Sequence, residues 1–173
     1  MLKNASAFVL ILGIALPLSA AAGDSLVKFK GGIAVNPVSS GVGTAATAEV
    51  VNRNVVRGVN PPGQIWTIAD LRADVKFDGS IKVRGKGLLL AGGNAIGGTN
   101  NQSVFATLIC EAVAPFTLHN TNPAGVLIEP NGDFSIDDVL TPQPADCASP
   151  VLLIRNVAGA WFAAGIPNLS DDD

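Results

Sequence analysis

The stretch LRADVKFDGSIKVRG, residues 71–85, constrains the fold more than any other part of the chain. Apolar Leu71, Ala73 and Val75 alternate with charged residues before Asp78-Gly79, and Ile81 and Val83 alternate with them afterwards. Alternation of this kind is the period of a strand with one buried and one wet face. A register slip of one residue swaps the faces, so the turn can be solved from the pattern. A two-residue Asp-Gly turn breaks the match. A three-residue loop of Phe77, Asp78 and Gly79 pairs Val75 with Ile81 and Ala73 with Val83, with glycine in the left-handed position. The charges, which did not enter that choice, mostly agree with it. Asp74 falls opposite Lys82 and Asp70 opposite Lys86, while Arg72 faces Arg84, a like pair left to solvent.

The same test applies to IEPNGDFSI, residues 128–136. A two-residue Asn-Gly turn would strand Phe134 and Ile136 on the face away from Ile128. A loop of Pro130, Asn131 and Gly132 pairs Glu129 with Asp133, Ile128 with Phe134 and Val126 with Ile136, so all four apolar residues share a face. Further strands are expected at 26–35, 45–51, 64–68, 104–110, 151–155 and 160–164. The runs at 104–110 and 151–154 are apolar on both parities and read as central, doubly covered strands. Glycine, proline and asparagine clusters separate these runs, and no helical periodicity is sustained; one helical turn near 136–140 is the most the pattern allows. Many short strands with turn signals between them predict an all-β fold. The expected architecture is an antiparallel two-sheet β-sandwich of Ig-like type with one disulfide, and a closed β-barrel is the alternative.

Residues 1–22 read as a signal peptide: Lys3, an uncharged apolar run from Ala7 to Leu18, Pro17, then small residues up to Ala22. Residues 23–170 then form a single domain and 171–173 an acidic tail. No later stretch is long and apolar enough to span a membrane. The expected location is the periplasm or the extracellular medium. Export places Cys110 and Cys147, the two cysteines, where disulfides persist, and an even count fits one bridge between them. A net charge of −3 argues against general nucleic-acid binding. The charge is uneven: bases outnumber acids over 25–90, whereas Arg155 is the sole base from Ala91 onward. That asymmetry suggests weak head-to-tail self-association, basic hairpin against acidic hairpin.

The catalytic inventory is thin. His119 is the single histidine, tyrosine is absent, and no nucleophile elbow accompanies the histidine. Asp137 and Asp138 are adjacent, so on a strand they point apart and make no facing acid–base pair. Asn131, Asp133, Ser135 and Asp137 superficially follow a calcium loop, but alternating Phe134 and Ile136 mark a solvated strand face instead. The glycines of 85–98 lack the strand–glycine–helix order of a dinucleotide site. Neither a metal nor another cofactor is expected. Trp66, Trp161 and His119 remain as candidate ligand contacts.

The strings GQIWTIADL, VRGKGLLLAGG, SVFATLICEA, CASPVLLIRN and AWFAAGIP together resemble small exported bacterial proteins with no assigned activity. NVVRGVNPPGQIWTI, residues 54–68, is loosely similar to a segment of CHRD domains, secreted β-rich modules named after chordin. The histidine-containing segment usual in those domains is missing, so the likeness implies no metal. The functional expectation is an exported, non-catalytic binding or cell-envelope structural and adhesive module, with a protein or glycan partner. The alternatives are a secreted hydrolase using His119 with Asp137 or Asp138, and a small-ligand carrier with a barrel cavity.

Overall fold

The computed structural model describes residues 24–42 and 50–168. The expected signal peptide, most of the strand at 45–51 and the acidic tail lie outside the described residues. Within them there is no helix. The chain forms strands β1 (Ser25–Ala34), β2 (Val38–Val42), β3 (Val50–Arg53), β4 (Trp66–Thr67), β5 (Asp70–Lys76), β6 (Ser80–Lys86) and β7 (Leu89–Leu90). It continues with β8 (Ser103–Ile109), β9 (His119–Asn120), β10 (Val126–Leu127), β11 (Phe134–Val139), β12 (Val151–Asn156) and β13 (Trp161–Asn168).

All pairings are antiparallel. One nine-stranded sheet runs in the order β10-β8-β12-β13-β1-β5-β6-β11, with β9 also on β8, and two-stranded sheets join β2 to β3 and β4 to β7. The antiparallel all-β fold is therefore as expected. The large sheet is nearly closed and barrel-like, so both faces of the core come from one continuous sheet wrapped around it. Leu71, Val75, Ile81 and Val83 from one side meet Leu108, Leu152 and Ile154 in a single buried cluster. β8 is buried on both parities from Val104 to Ile109, as are Leu152, Leu153 and Ile154 of β12.

The first hairpin has the register that the alternation predicts: Val75 opposes Ile81, Ala73 opposes Val83, Asp70 opposes Lys86 and Arg72 opposes Arg84. The loop closes with Gly79 N–H donating to Lys76 O at 3.0 Å, and Gly79 sits at φ +83°. The ion pairs are distributed differently from the simple cross-strand picture. Asp74 takes Lys76, Asp70 takes Arg72, and Lys82 reaches across to Asp137 of β11. In the turn, Asp78 accepts the Ser80 hydroxyl at 2.7 Å and the Ser80 N–H at 2.9 Å, which hold its carboxyl below the usual carboxylate range.

The second turn is also the expected one, but its arms do not pair. Glu129 N–H donates to Asp133 O and Gly132 N–H to Glu129 O, both at 2.8 Å, around Gly132 at φ +86°. Beyond that point the chains part. Val126 pairs with Val104, Ile128 N–H goes to Gln102 O, and Phe134 and Ile136 pair with Gly85 and Val83. The reason lies on β6. The Phe134 ring covers Gly85 so closely that a Cβ there would stand 2.0 Å from the ring, and β11 follows β6 residue for residue. That full-length pairing also keeps 134–139 extended, which corrects the helical turn allowed at 136–140. Ile128, Phe134 and Ile136 are still all buried.

Parting of the arms leaves a seam where the barrel almost closes. At one end an isolated bridge joins Asn120 and Thr141 through two hydrogen bonds, 2.9 and 2.8 Å. The Asp138 carboxylate accepts Asn122 N–H at 2.8 Å, and the Glu129–Asp133 turn holds the other end. Between them is a cleft of ≈ 270 Å³ bordered by Val104, Val126 and Ile136.

The disulfide Cys110–Cys147 ties the end of β8 to the segment before β12. Arg57 straps the same region: its guanidinium donates to Ile109 O at 3.1 Å, Ser149 O at 2.6 Å and Ser149 Oγ at 2.7 Å. An ammonium cannot present that planar fork. Arg57→Lys is expected to lower stability by about 1–2 kcal/mol, read as a shift in the urea midpoint, since charge-assisted hydrogen bonds contribute about 1.5–3 kcal/mol.

Candidate functional site

A short backbone relay builds the site. Val35, just past β1, donates to Phe162 O of β13 at 2.9 Å and accepts Trp66 N–H of β4 at 3.2 Å. The relay lays Trp66 over Phe162, ring centroids 4.0 Å apart and planes 16° from parallel. β4 pairs with β7, Trp66 opposite Leu90, and Ala91 N–H donates to Ile65 O. The glycine-rich loop that follows is folded back on itself. Leu90 and Gly98 share one hydrogen bond, Gly97 N–H returns to Leu90 O at 2.8 Å, and Gln102 N–H goes to Thr99 O.

The resulting pocket is ≈ 430 Å³, with Trp66, Phe162 and Leu90 among its apolar walls. Five carboxamide residues line it: Gln64, Asn94, Asn100, Gln102 and Asn156. Two of their side chains are fixed in place. Asn156 Nδ2 donates to Gln102 Oε1 at 3.1 Å, and its Oδ1 accepts Ala160 N–H at 2.9 Å. The side-chain amides of Gln64, Asn94 and Asn100 have no hydrogen-bond partner among the described residues. No charged residue lines the pocket. Trp66 is only 4% exposed, so it is a wall and not an open platform. Its Nε1–H is buried without an acceptor, a state that costs about 1–3 kcal/mol and is uncommon in folded proteins.

Trp161 has a different role. It is 3% exposed, its Nε1–H donates to Asn54 O at 2.9 Å, and it is not among the pocket residues. The structure thus separates the two tryptophans, placing one at a pocket and one in packing. His119 is likewise remote from this pocket. It is 7% exposed on β9, opposite Leu108, with Nδ1 donating to Pro142 O at 2.6 Å. It borders another cleft together with Glu111, Thr117 and Cys110. Hydrogen bonds from Thr117, side chain first and backbone N–H second, hold the Glu111 carboxyl below the usual range. Neither Asp137 nor Asp138 is a hydrogen-bond partner of the imidazole: the first pairs with Lys82 and the second with Asn122 N–H. Among the described residues no group of three or more His, Cys, Asp or Glu side chains is placed to hold a metal ion.

Sequence reasoning singled out Trp66 but read the loop at 91–102 as a spacer, and so missed the amides. The signal was present as a run of asparagine and glutamine flanked by glycines; what it lacked was the fold-back that brings Asn94 and Asn100 to Trp66. No family model, no curated protein and no solved structure matches the chain.

Proposed function

We propose that the chain is an exported, non-catalytic binding domain that takes an uncharged polar ligand of the glycan class in the Trp66–Phe162 pocket. One observation carries this reading: an aromatic pair walled by five carboxamide residues, with no charge in the lining. Carboxamides both donate and accept, which suits hydroxyl groups that do the same. The edges of the buried Trp66–Phe162 pair give the pocket an apolar wall beside its amides, and the absence of charge gives no purchase to an ionic ligand. The disulfide supports the export half of the proposal, since such bonds persist in oxidising compartments.

Titration calorimetry with a panel of neutral oligosaccharides tests it. A binder is expected, with a change in Trp66 emission while Trp161 stays unaltered. Gln64→Ala combined with Asn94→Ala should weaken binding roughly thirtyfold, at about 1 kcal/mol for each neutral hydrogen bond. Both side chains are exposed and unpartnered, so the fold should survive. Binding that ignores both substitutions would remove the pocket from the account.

A further inference from the structure

We propose that the outer face of β1, β5 and β6 docks a linear phosphate-bearing polyanion, through the cross-strand row Lys30–Arg72–Arg84. The registers set these three side by side: Lys30 opposes Arg72, and Arg72 opposes Arg84, with Ser135 of β11 next in line. All three side chains are on the exposed parity of their strands. Neighbouring strands lie about 4.8 Å apart, so three cations fall within about 10 Å.

The adjacent row shows what this sheet does elsewhere. Lys28, Asp74, Lys82 and Asp137 alternate in sign across the same four strands. Like charges directly opposite one another are destabilising, and one row avoids that arrangement while its neighbour adopts it twice. The row is only partly neutralised, by one carboxylate at its middle member. The side chains of Lys30 and Arg84 have no ion pair or hydrogen bond among the described residues. Arg72 spends only Nε, on Asp70 Oδ2 at 3.1 Å, which leaves its terminal nitrogens free. A shallow groove of ≈ 210 Å³ runs between Arg72, Asp74, Lys82 and Arg84. Guanidinium groups bind phosphate oxygens in pairs, and a straight row fits an extended chain better than a single compact anion. The outward positions of β1, β5 and β6 carry no aromatic side chain, so nucleic-acid bases find no stacking platform there. The whole chain carries −3, so the attraction is local to this face.

The test is fluorescence anisotropy of end-labelled inorganic polyphosphate titrated with the oxidised protein over a salt series. Three phosphate contacts predict a slope of about −2 in log affinity against log salt, at about −0.7 per contact for a flexible strand. Lys30→Gln with Arg84→Gln should lower affinity at least tenfold and flatten the slope to about −0.7. Lys82→Gln with Asp137→Asn removes a balanced pair from the next row and should change affinity less than twofold. Equal losses in the two double variants, or none in the first, would overturn the proposal. So would tighter binding to anionic phospholipid vesicles than to polyphosphate, which would make the face a membrane surface, or base-dependent binding of single-stranded DNA.

Discussion

Gly132→Ala is expected to destabilise the protein by roughly 3 kcal/mol, while Gly79→Ala in the same kind of turn loses only about 1 kcal/mol. Both glycines close three-residue loops at nearly the same positive φ, +86° and +83°, so the backbone strain of an L-residue is shared. The difference is what surrounds them. A Cβ on Gly132 would stand 2.6 Å from Leu88 N and 2.7 Å from Gly87 C, backbone atoms that cannot move alone. Leu88 N–H also donates to Gly132 O at 2.8 Å, so relief of the clash would strip a hydrogen bond from the link between β6 and β7. A Cβ on Gly79 would meet Gln143 Cγ at 3.2 Å, and that exposed side chain can give way at the cost of the bond from its Nε2–H to Phe77 O. Urea denaturation of both variants with the disulfide intact measures the two midpoints. Equal losses would mean that backbone conformation alone sets the effect and that packing on Gly87–Leu88 contributes nothing.

That pair also marks the boundary of what the sequence made legible. Alternation fixes a face, and two alternating arms fix a turn, so both loops and the whole Val75–Ile81 ladder were readable. Pattern cannot say which strand lies beside which when several share the same period. Val126, Phe134 and Ile136 suit a shared ladder as well as they suit separate partners on β8 and β6. The decision was made by Gly85, whose missing side chain leaves room for the Phe134 ring. A lone glycine in a clean strand pattern is a signal of close approach, but it does not name the residue that approaches. Closure of the sheet was illegible for a similar reason: it depends on strand order, which isolated hairpins do not specify.

The pocket was half legible. Trp66 is a large residue in a turn-rich neighbourhood, and such residues stand out by chemistry alone. Its partners come from Phe162, Asn156 and the 91–102 loop, which only the β13–β1–β4 relay through Val35 brings together. The charged row was readable at the Arg72–Arg84 pair, which the hairpin register already opposed. Lys30 joined it only once β1 was placed on β5 rather than elsewhere.

Removal of the disulfide, by Cys110→Ala with Cys147→Ala, is expected to have the largest effect on stability, about 4 kcal/mol. That figure follows from closing a loop between residues 37 apart in sequence, in a model where the bridge acts by restricting the unfolded chain. The enclosed segment contains β9, β10 and β11, both lips of the seam. Elsewhere the barrel is held by strand-to-strand ladders. Across the seam it is held by the Asn120–Thr141 bridge, the Asn122–Asp138 contact and the Glu129–Asp133 turn. The cross-link therefore restrains the part of the wall with the fewest hydrogen bonds. Amide hydrogen exchange should show this as a local effect. In the variant, protection should fall first at Asn120, Asn122 and Thr141, with β12 and β13 still protected. A uniform loss across all strands would mean that the seam opens only with the whole domain. A loss under about 1 kcal/mol would mean that the buried contacts of Ile128, Ile136 and Leu140 close the barrel without the bridge.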